Sequence, residues 1–154
     1  MEVEFRYFNI DEVRIPYDEE TKKARTRSIF VGAKWLEIGY NPKDIWSYSR
    51  LHKQDPEREE HPTQKPLAII GRIIKASSPK NGIVLDPFMG SGTTAISCIQ
   101  NGRKYTGFEM NKDYYKMIQK RIQRENNNSL FNQTSQAKEK SEPALQQSFM
   151  QAFE

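Results

Sequence analysis

A single cysteine, Cys98, and two histidines, His52 and His61, are all the soft metal ligands in this 154-residue chain. No internal disulfide is possible, and residues so scattered offer no zinc-ligand spacing, so no metal site is expected. The lone cysteine fits a reducing, cytoplasmic setting. Also missing is any apolar run near the roughly 18 residues that a membrane span needs, and no signal peptide is visible. No membrane partner is expected. Hydrophobic residues are scarce, at 36% with a mean hydropathy of −0.86. That is polar for one globular domain, so part of the chain is expected to be unfolded or to lean on a partner.

What is present is unevenly placed. Residues 1–60 carry 11 Lys and Arg against 13 Asp and Glu, whereas residues 61–154 carry 13 against 7. The net charge of +4 therefore lies on the C-terminal side, where it permits nucleic-acid binding without demanding it. The first 60 residues read as irregular, with short apolar pieces at Phe5–Ile10, Ile29–Val31 and Trp35–Ile38. Asp18–Arg27 is dense in charge and reads as a solvated loop, and Ile45–Tyr48 reads as a short strand after the Asn41-Pro42 turn. Thirteen of the thirty residues in 125–154 are Asn, Gln or Ser, the composition of a disordered tail, although Leu145, Phe149 and Phe153 share one helical face.

Between these flanks the pattern is regular. Leu67, Ile70, Ile73 and Ile74 recur at helical spacing, with Pro66 as a suitable first helical residue. Ile83-Val84-Leu85 is a short buried strand ending at Asp86; Thr93–Gln100 is a helix closed by Asn101-Gly102. Lys104–Phe108 is a second strand ending at Glu109, and Asn111 caps a helix from Lys112 to about Arg124. This order predicts an α/β fold built on a parallel βαβ unit.

The segment joining the first strand to its helix is Asp86-Pro87-Phe88-Met89-Gly90-Ser91-Gly92-Thr93-Thr94. A glycine pair in that context turns the backbone tightly and leaves no side chain between loop and ligand. The helix start offers free N–H groups and a partial positive charge. A P-loop needs a lysine after its last glycine, and here Thr93 stands there, which argues against ATP or GTP. A dinucleotide loop is matched only in a degenerate form ending at Ala95. Glu109, at the end of the second strand, is placed to accept both hydroxyls of a ribose. One glycine loop and one such acid suit a mononucleoside with a small charged tail, the shape of S-adenosylmethionine. The same residues would also serve a plain strand–helix turn beside a surface acid.

Three segments in this order, His61-Pro62-Thr63-Gln64-Lys65-Pro66, then Asp86–Thr94, then Gly107-Phe108-Glu109, resemble the C-terminal half of the β-class DNA adenine-N6/cytosine-N4 methyltransferases. Val13–Tyr17, Gly39–Trp46 and Glu57–Glu60 are similar to that family too, so the likeness covers roughly residues 5–124. The resemblance implies a partial Rossmann-like fold with S-adenosylmethionine as cofactor and double-stranded DNA as substrate, in a restriction-modification setting. It implies that Phe88, Gly90, Ser91 and Gly92 wrap the cofactor and that Thr93 and Thr94 supply hydroxyls. Asp86 would lie beside the amino-acid end, Glu109 would take the ribose, and Thr63 and Lys65 would complete the methionine side. Residues 1–60 would be part of the target-recognition region, 61–124 the cofactor-binding unit and 125–154 a tail.

The family transfers methyl through an Asp/Asn/Ser-Pro-Pro-aromatic tetrapeptide, which accepts the amine hydrogens and stacks on the flipped base. No two of the eight prolines here are adjacent, so no catalytic residue is assigned. Three readings stand: the cofactor-binding part of a DNA methyltransferase, inactive without an N-terminal catalytic half or partner subunit; a non-catalytic accessory subunit or inactive remnant that binds the cofactor or DNA; and a nucleotide-binding enzyme with a similar loop.

Overall fold

The structure, a computed structural model, describes residues 7–26 and 33–128. A 3-10 turn at Asp11–Val13 is followed by helices α1 (Glu19–Thr26) and α2 (Ala33–Ile38). Then come α3 (Leu67–Ser77), β1 (Ile83–Asp86), α4 (Thr93–Gln100) and β2 (Lys104–Gly107), and a last helix, α5, over 112–128. β1 and β2 pair in parallel, with Ile83 opposite Lys104 and Asp86 opposite Gly107. The parallel βαβ unit expected from the sequence is present, and α4 has the expected bounds. Among the described residues no helix is long and apolar enough to cross a membrane.

α4 is the buried centre. Ala95, Ile96, Ser97 and Cys98 are all inaccessible, because α3 packs on one side of α4 and β2 on another. Met89, Ala95 and Ile118 form the core cluster, with Tyr105 and Ile122 against it. Burial pushes the Cys98 thiol up to about 11, so it stays protonated and inert at neutral pH. Pro66 is the extended N-cap of α3 rather than its first helical residue.

The N-terminal pieces clip onto this unit through polar contacts. Buried Arg103 pairs with Glu12 at 3.0 Å and donates to the Ser78 carbonyl, while the Asn9 N–H donates to the Ala76 carbonyl. Ile15 and Tyr40 form an antiparallel bridge.

Several expectations are corrected. Most of the charged run at 18–27 is helix α1, not a loop. Asp18 caps it, accepting from the Thr21 N–H and hydroxyl, both at 2.7 Å, and these bonds hold the Asp18 carboxyl below its usual range. Glu19 pairs with Lys22, and the acidic first turn and basic last turn complement the helix dipole. Residues 45–48 form no strand; Trp46 instead lies under the Arg72 guanidinium of α3, 4.3 Å from its ring centroid. The last helix continues through 125–128, which were expected in the tail. Phe5, Ile29–Val31, Leu145, Phe149 and Phe153 lie outside the described residues.

β1 is buried on only one face. Val84 is half-buried, but Ile83 and Leu85 are 71% and 64% exposed, and Phe108, just beyond β2, is 62% exposed. Parallel sheets ordinarily carry cover on both faces. Among the described residues, one face of this two-stranded sheet is covered and the other, which carries Ile83 and Leu85, is bare.

Candidate functional site

The loop from Asp86 to Thr94 leaves the carboxyl end of β1 and enters α4. Asp86 organises it from both sides: Oδ1 accepts the Phe88 N–H at 3.0 Å, and Oδ2 accepts the Thr94 hydroxyl at 2.6 Å. The Gly92 N–H closes the turn on the Met89 carbonyl. Met89 turns inward into the core and lies over Gly107, where a Cβ would meet its methyl carbon at 1.8 Å. That contact gives Gly107 a packing role in addition to its place in the motif.

Both loop glycines have positive φ, +55° at Gly90 and +75° at Gly92, but they face different neighbours. A Cβ on Gly92 would press on Ile118 of the core at 3.1 Å; one on Gly90 would stand 3.2 Å from His61 Nε2, at the cleft wall. Gly92 is therefore a packing glycine and Gly90 a cleft glycine.

A cleft of about 250 Å³ brings together the two distant motifs. One wall is His61, Thr63 and Lys65, with Ile70 of α3 behind them; the other is Asp86 and the loop residues Phe88 to Ser91 with Thr93 and Thr94. Eight of the ten residues expected at the site line this wall pair, and Gly92 stands just behind it, against Ile118. Glu109 is placed differently. Its Oε2 accepts the Gly90 N–H at 2.8 Å and its Oε1 the Asn111 N–H at 2.8 Å, so it touches the cradle from the side without lining the cleft. Asn111 caps α5 as expected, through Asp113 and Tyr114.

The threonine hydroxyls are already engaged. Thr93 Oγ1 donates to the Lys65 carbonyl at 3.2 Å, which makes it the acceptor for Ser91 Oγ at 3.0 Å and Arg121 Nη1 at 3.3 Å. Thr94 is held by Asp86. These hydroxyls tie the cleft together, leaving main-chain groups and the exposed Lys65 ammonium, now on the Thr63 carbonyl, to face a ligand.

Several residues that shape the site were not assigned from sequence. Arg121 of α5, only 4% exposed, donates to the Ser91 carbonyl at 2.9 Å and pairs with Glu59 at 3.5 Å; Arg124 also pairs with Glu59. Burial pulls the Arg121 guanidinium down from its ordinary value, while Glu59 and Glu57 hold it up. Gln64, buried, accepts the Glu59 N–H and donates to the Glu57 carbonyl, and the Glu57 carboxylate accepts the Leu67 N–H at the start of α3. A continuous polar frame thus joins residues 57–67, the glycine loop and α5. His61 is the other addition: its ring packs on Tyr114, and its Nδ1 accepts the Thr63 N–H.

Burial lowers the His61 pKa below 6.5, Arg58 and Lys65 push the same way, and Glu109 opposes. A base with a depressed folded pKa stabilises the fold fully above the unfolded value and loses that contribution as pH falls through the folded one. Stability should therefore decline as pH drops below about 6.5. His61→Phe should flatten this slope in urea melts taken from pH 7.5 to 5; an unchanged slope would remove His61 as its source.

The DNA methylase family matches this chain over residues 3–120. The chain is 36% identical over 126 residues to the type II methyltransferase M.ScaI of Streptomyces caespitosus, covering 77% of this chain and 39% of that protein. It is 39% identical over 120 residues to the type II methyltransferase M.HpaI of Haemophilus parainfluenzae (78% and 35%). It is 42% identical over 119 residues to the DNA adenine methyltransferase YhdJ of Escherichia coli K12 (75% and 39%). The chain thus spans well under half the length of these relatives. Among solved structures, the M1.HpyAVI–SAM complex is 38% identical, with a TM-score of 0.44 and coverage of 53% of this chain and 42% of that one. The family match takes in the N-terminal clip, both walls of the cleft and most of α5, and on that extent the chain belongs to the DNA methylase family.

Proposed function

We propose that this chain is the cofactor-binding part of a site-specific DNA amino-methyltransferase of the restriction-modification type. It would bind S-adenosylmethionine in the cleft between His61–Lys65 and the glycine loop. The observation that carries this reading is the convergence of the two motifs on one cleft, with the third, through Glu109, bonded to the loop at Gly90. Bound there, the cofactor supplies a methyl group on a cationic sulfur.

The fit is one of parts. About 250 Å³ lies just under the usual range of roughly 300–1,000 Å³ for ligand pockets, enough for the amino-acid end but not for the whole molecule. Gly90 keeps the cradle clear of a Cβ, and Gly90 and Ser91 bring main chain to the ligand, with Gly92 packed behind them on Ile118. Lys65 carries a compact ammonium suited to a carboxylate, and Asp86 a carboxylate suited to an ammonium. Phe88, 87% exposed, offers an apolar face for the nucleoside. Thr93 and Thr94 hold the walls in register. Glu109 takes the ribose hydroxyls in this scheme, exchanging its Gly90 bond for the ligand.

Glu109→Ala is expected to weaken cofactor binding by about 1–3 kcal/mol, the cost of a lost charged hydrogen bond. Unchanged affinity in calorimetry would take Glu109 out of the site. Titration with S-adenosylmethionine, ATP and NAD tests the ligand itself, and binding of ATP or NAD alone would overturn the reading.

Adenine is the favoured target base, since YhdJ is named a DNA adenine methyltransferase. The groups that activate the amine are supplied by sequence outside these 154 residues, in the same polypeptide or another, because no adjacent prolines occur here. Labelled-methyl transfer to DNA should therefore need that portion to be added. Within the chain, residues up to about 56 belong to target recognition, while Glu57–Glu60 belong to the cofactor unit that they brace.

A further inference from the structure

The larger depression on this protein is not the cradle but its neighbour. A groove of about 650 Å³ runs along residues 48–53 and shares Thr63 and Lys65 with the cofactor cleft, so one rib of chain separates the two. Its lining includes Tyr48, Arg50, His52, Lys53, Arg58 and Lys65 and no acidic residue. Among the described residues, Arg50, Lys53 and Arg58 make no ion pair. The nearest acid in the turn, Asp55, accepts the His52 N–H at 3.4 Å and does not line the groove. Unpaired cations gathered in a concave surface repel one another and gain only when an anion enters.

We propose that this groove holds the phosphodiester backbone of the DNA strand that carries the methylated base. The proposal rests on the cofactor reading above and names the surface that presents substrate to it. An exocyclic amine inside a duplex is out of reach, so the target nucleotide must leave the stack, and its flanking phosphates need fixed counter-charges beside the methyl donor. A basic groove sharing a wall with the donor's cleft meets that requirement. The arginines present forked donors to phosphate oxygens, Lys53 a point charge, and Tyr48 an aromatic face with a hydroxyl tip. Pocket-wide positive charge of this kind positions a strand without reading its sequence.

The test is anisotropy with the full chain and a labelled 20-base-pair DNA duplex, titrated from 50 to 200 mM salt. Calorimetry against S-adenosylmethionine runs in parallel. Arg50→Ala/Lys53→Ala should lower the magnitude of the log–log salt slope by about 2 and weaken binding at 50 mM salt by about tenfold or more. Its cofactor affinity should match the unaltered chain. Lys116→Ala/Lys120→Ala, which removes two exposed charges from α5 outside the groove and the cleft, should change neither by comparable amounts. Equal salt slopes for both double variants, no DNA binding by the unaltered chain, or tighter binding of an RNA duplex would each overturn the proposal. Groove variants that behave as expected while calorimetry shows no cofactor binding would uphold the groove and overturn the cofactor reading instead.

Discussion

Gly90→Val should abolish binding of S-adenosylmethionine while leaving helical content nearly unchanged. Gly90 sits at φ +55°, a region that β-branched residues enter only with strain. A Cβ there would lie 3.2 Å from His61 Nε2, and valine's methyl carbons would extend further across the cleft wall. The damage is local, because a Cβ at Gly90 would meet the His61 ring and the Phe88 carbonyl rather than Ala95 or Ile118 of the core. Gly92 makes the contrast. Its added Cβ would strike Ile118, so Gly92→Val should instead lower the urea midpoint, as overpacked cores do by about 1–3 kcal/mol. Gly90→Asn separates strain from obstruction, since asparagine tolerates positive φ but still fills the cradle. It should fold with less strain than the valine variant and still bind poorly. Normal calorimetric affinity in Gly90→Val would mean that the loop does not enclose the ligand.

The division of labour between the two glycines was beyond the reach of the sequence, although the loop itself was not. Asp86–Thr94 announced its turn through residue chemistry: a strand end, two glycines and a run of hydroxyls. α4 is legible because Gly92 and Asn101-Gly102 bracket a stretch, Thr93–Gln100, free of glycine, proline and charge. β2 was read slightly long, because Phe108 still bonds to Asp86 and Met89 after the ladder residues end. The error at α1 has a different origin. Its charges look like a solvated loop, yet their spacing and the Asp18 cap stabilise a helix that buries nothing, and composition hides such local terms. At 45–48 the bulky Ile-Trp-Ser-Tyr run suggests a strand, but Trp46 stacks under Arg72, a tertiary contact with no local signature. The bare side of β1 lay half in view. A run of Ile, Val and Leu says that a strand expects burial, and only the fold reveals that Ile83 and Leu85 face away from α4. The site motifs were readable as short strings, while the frame that sets their spacing was not. Arg121 looks like one more cation on a polar helix face until Glu59 and Ser91 are brought against it.

That frame carries the largest expected effect on stability. Arg121→Met keeps most of the side chain's volume and removes its charge and five donors. Lost with them are the bond to the Ser91 carbonyl, the one to the Thr93 hydroxyl and the pair with Glu59. Glu59 would keep only the more exposed Arg124, and the Ser91 carbonyl would lose a buried donor. Removing one partner from a buried pair costs about 3–5 kcal/mol, against a total of roughly 5–15 kcal/mol for a domain. The urea midpoint should fall steeply, and because the network is buried the loss should persist at 0.5 M salt. Cofactor affinity should fall as well, since Arg121 fixes the loop from behind and Thr93 in turn holds Lys65. Glu59→Gln should destabilise by a similar route, and the double variant should lose less than the two single losses combined, with a coupling of about 0.5–3 kcal/mol. Strict additivity in that cycle would separate Arg121 from Glu59 energetically. Both walls of the cleft would then be held by something other than the frame described.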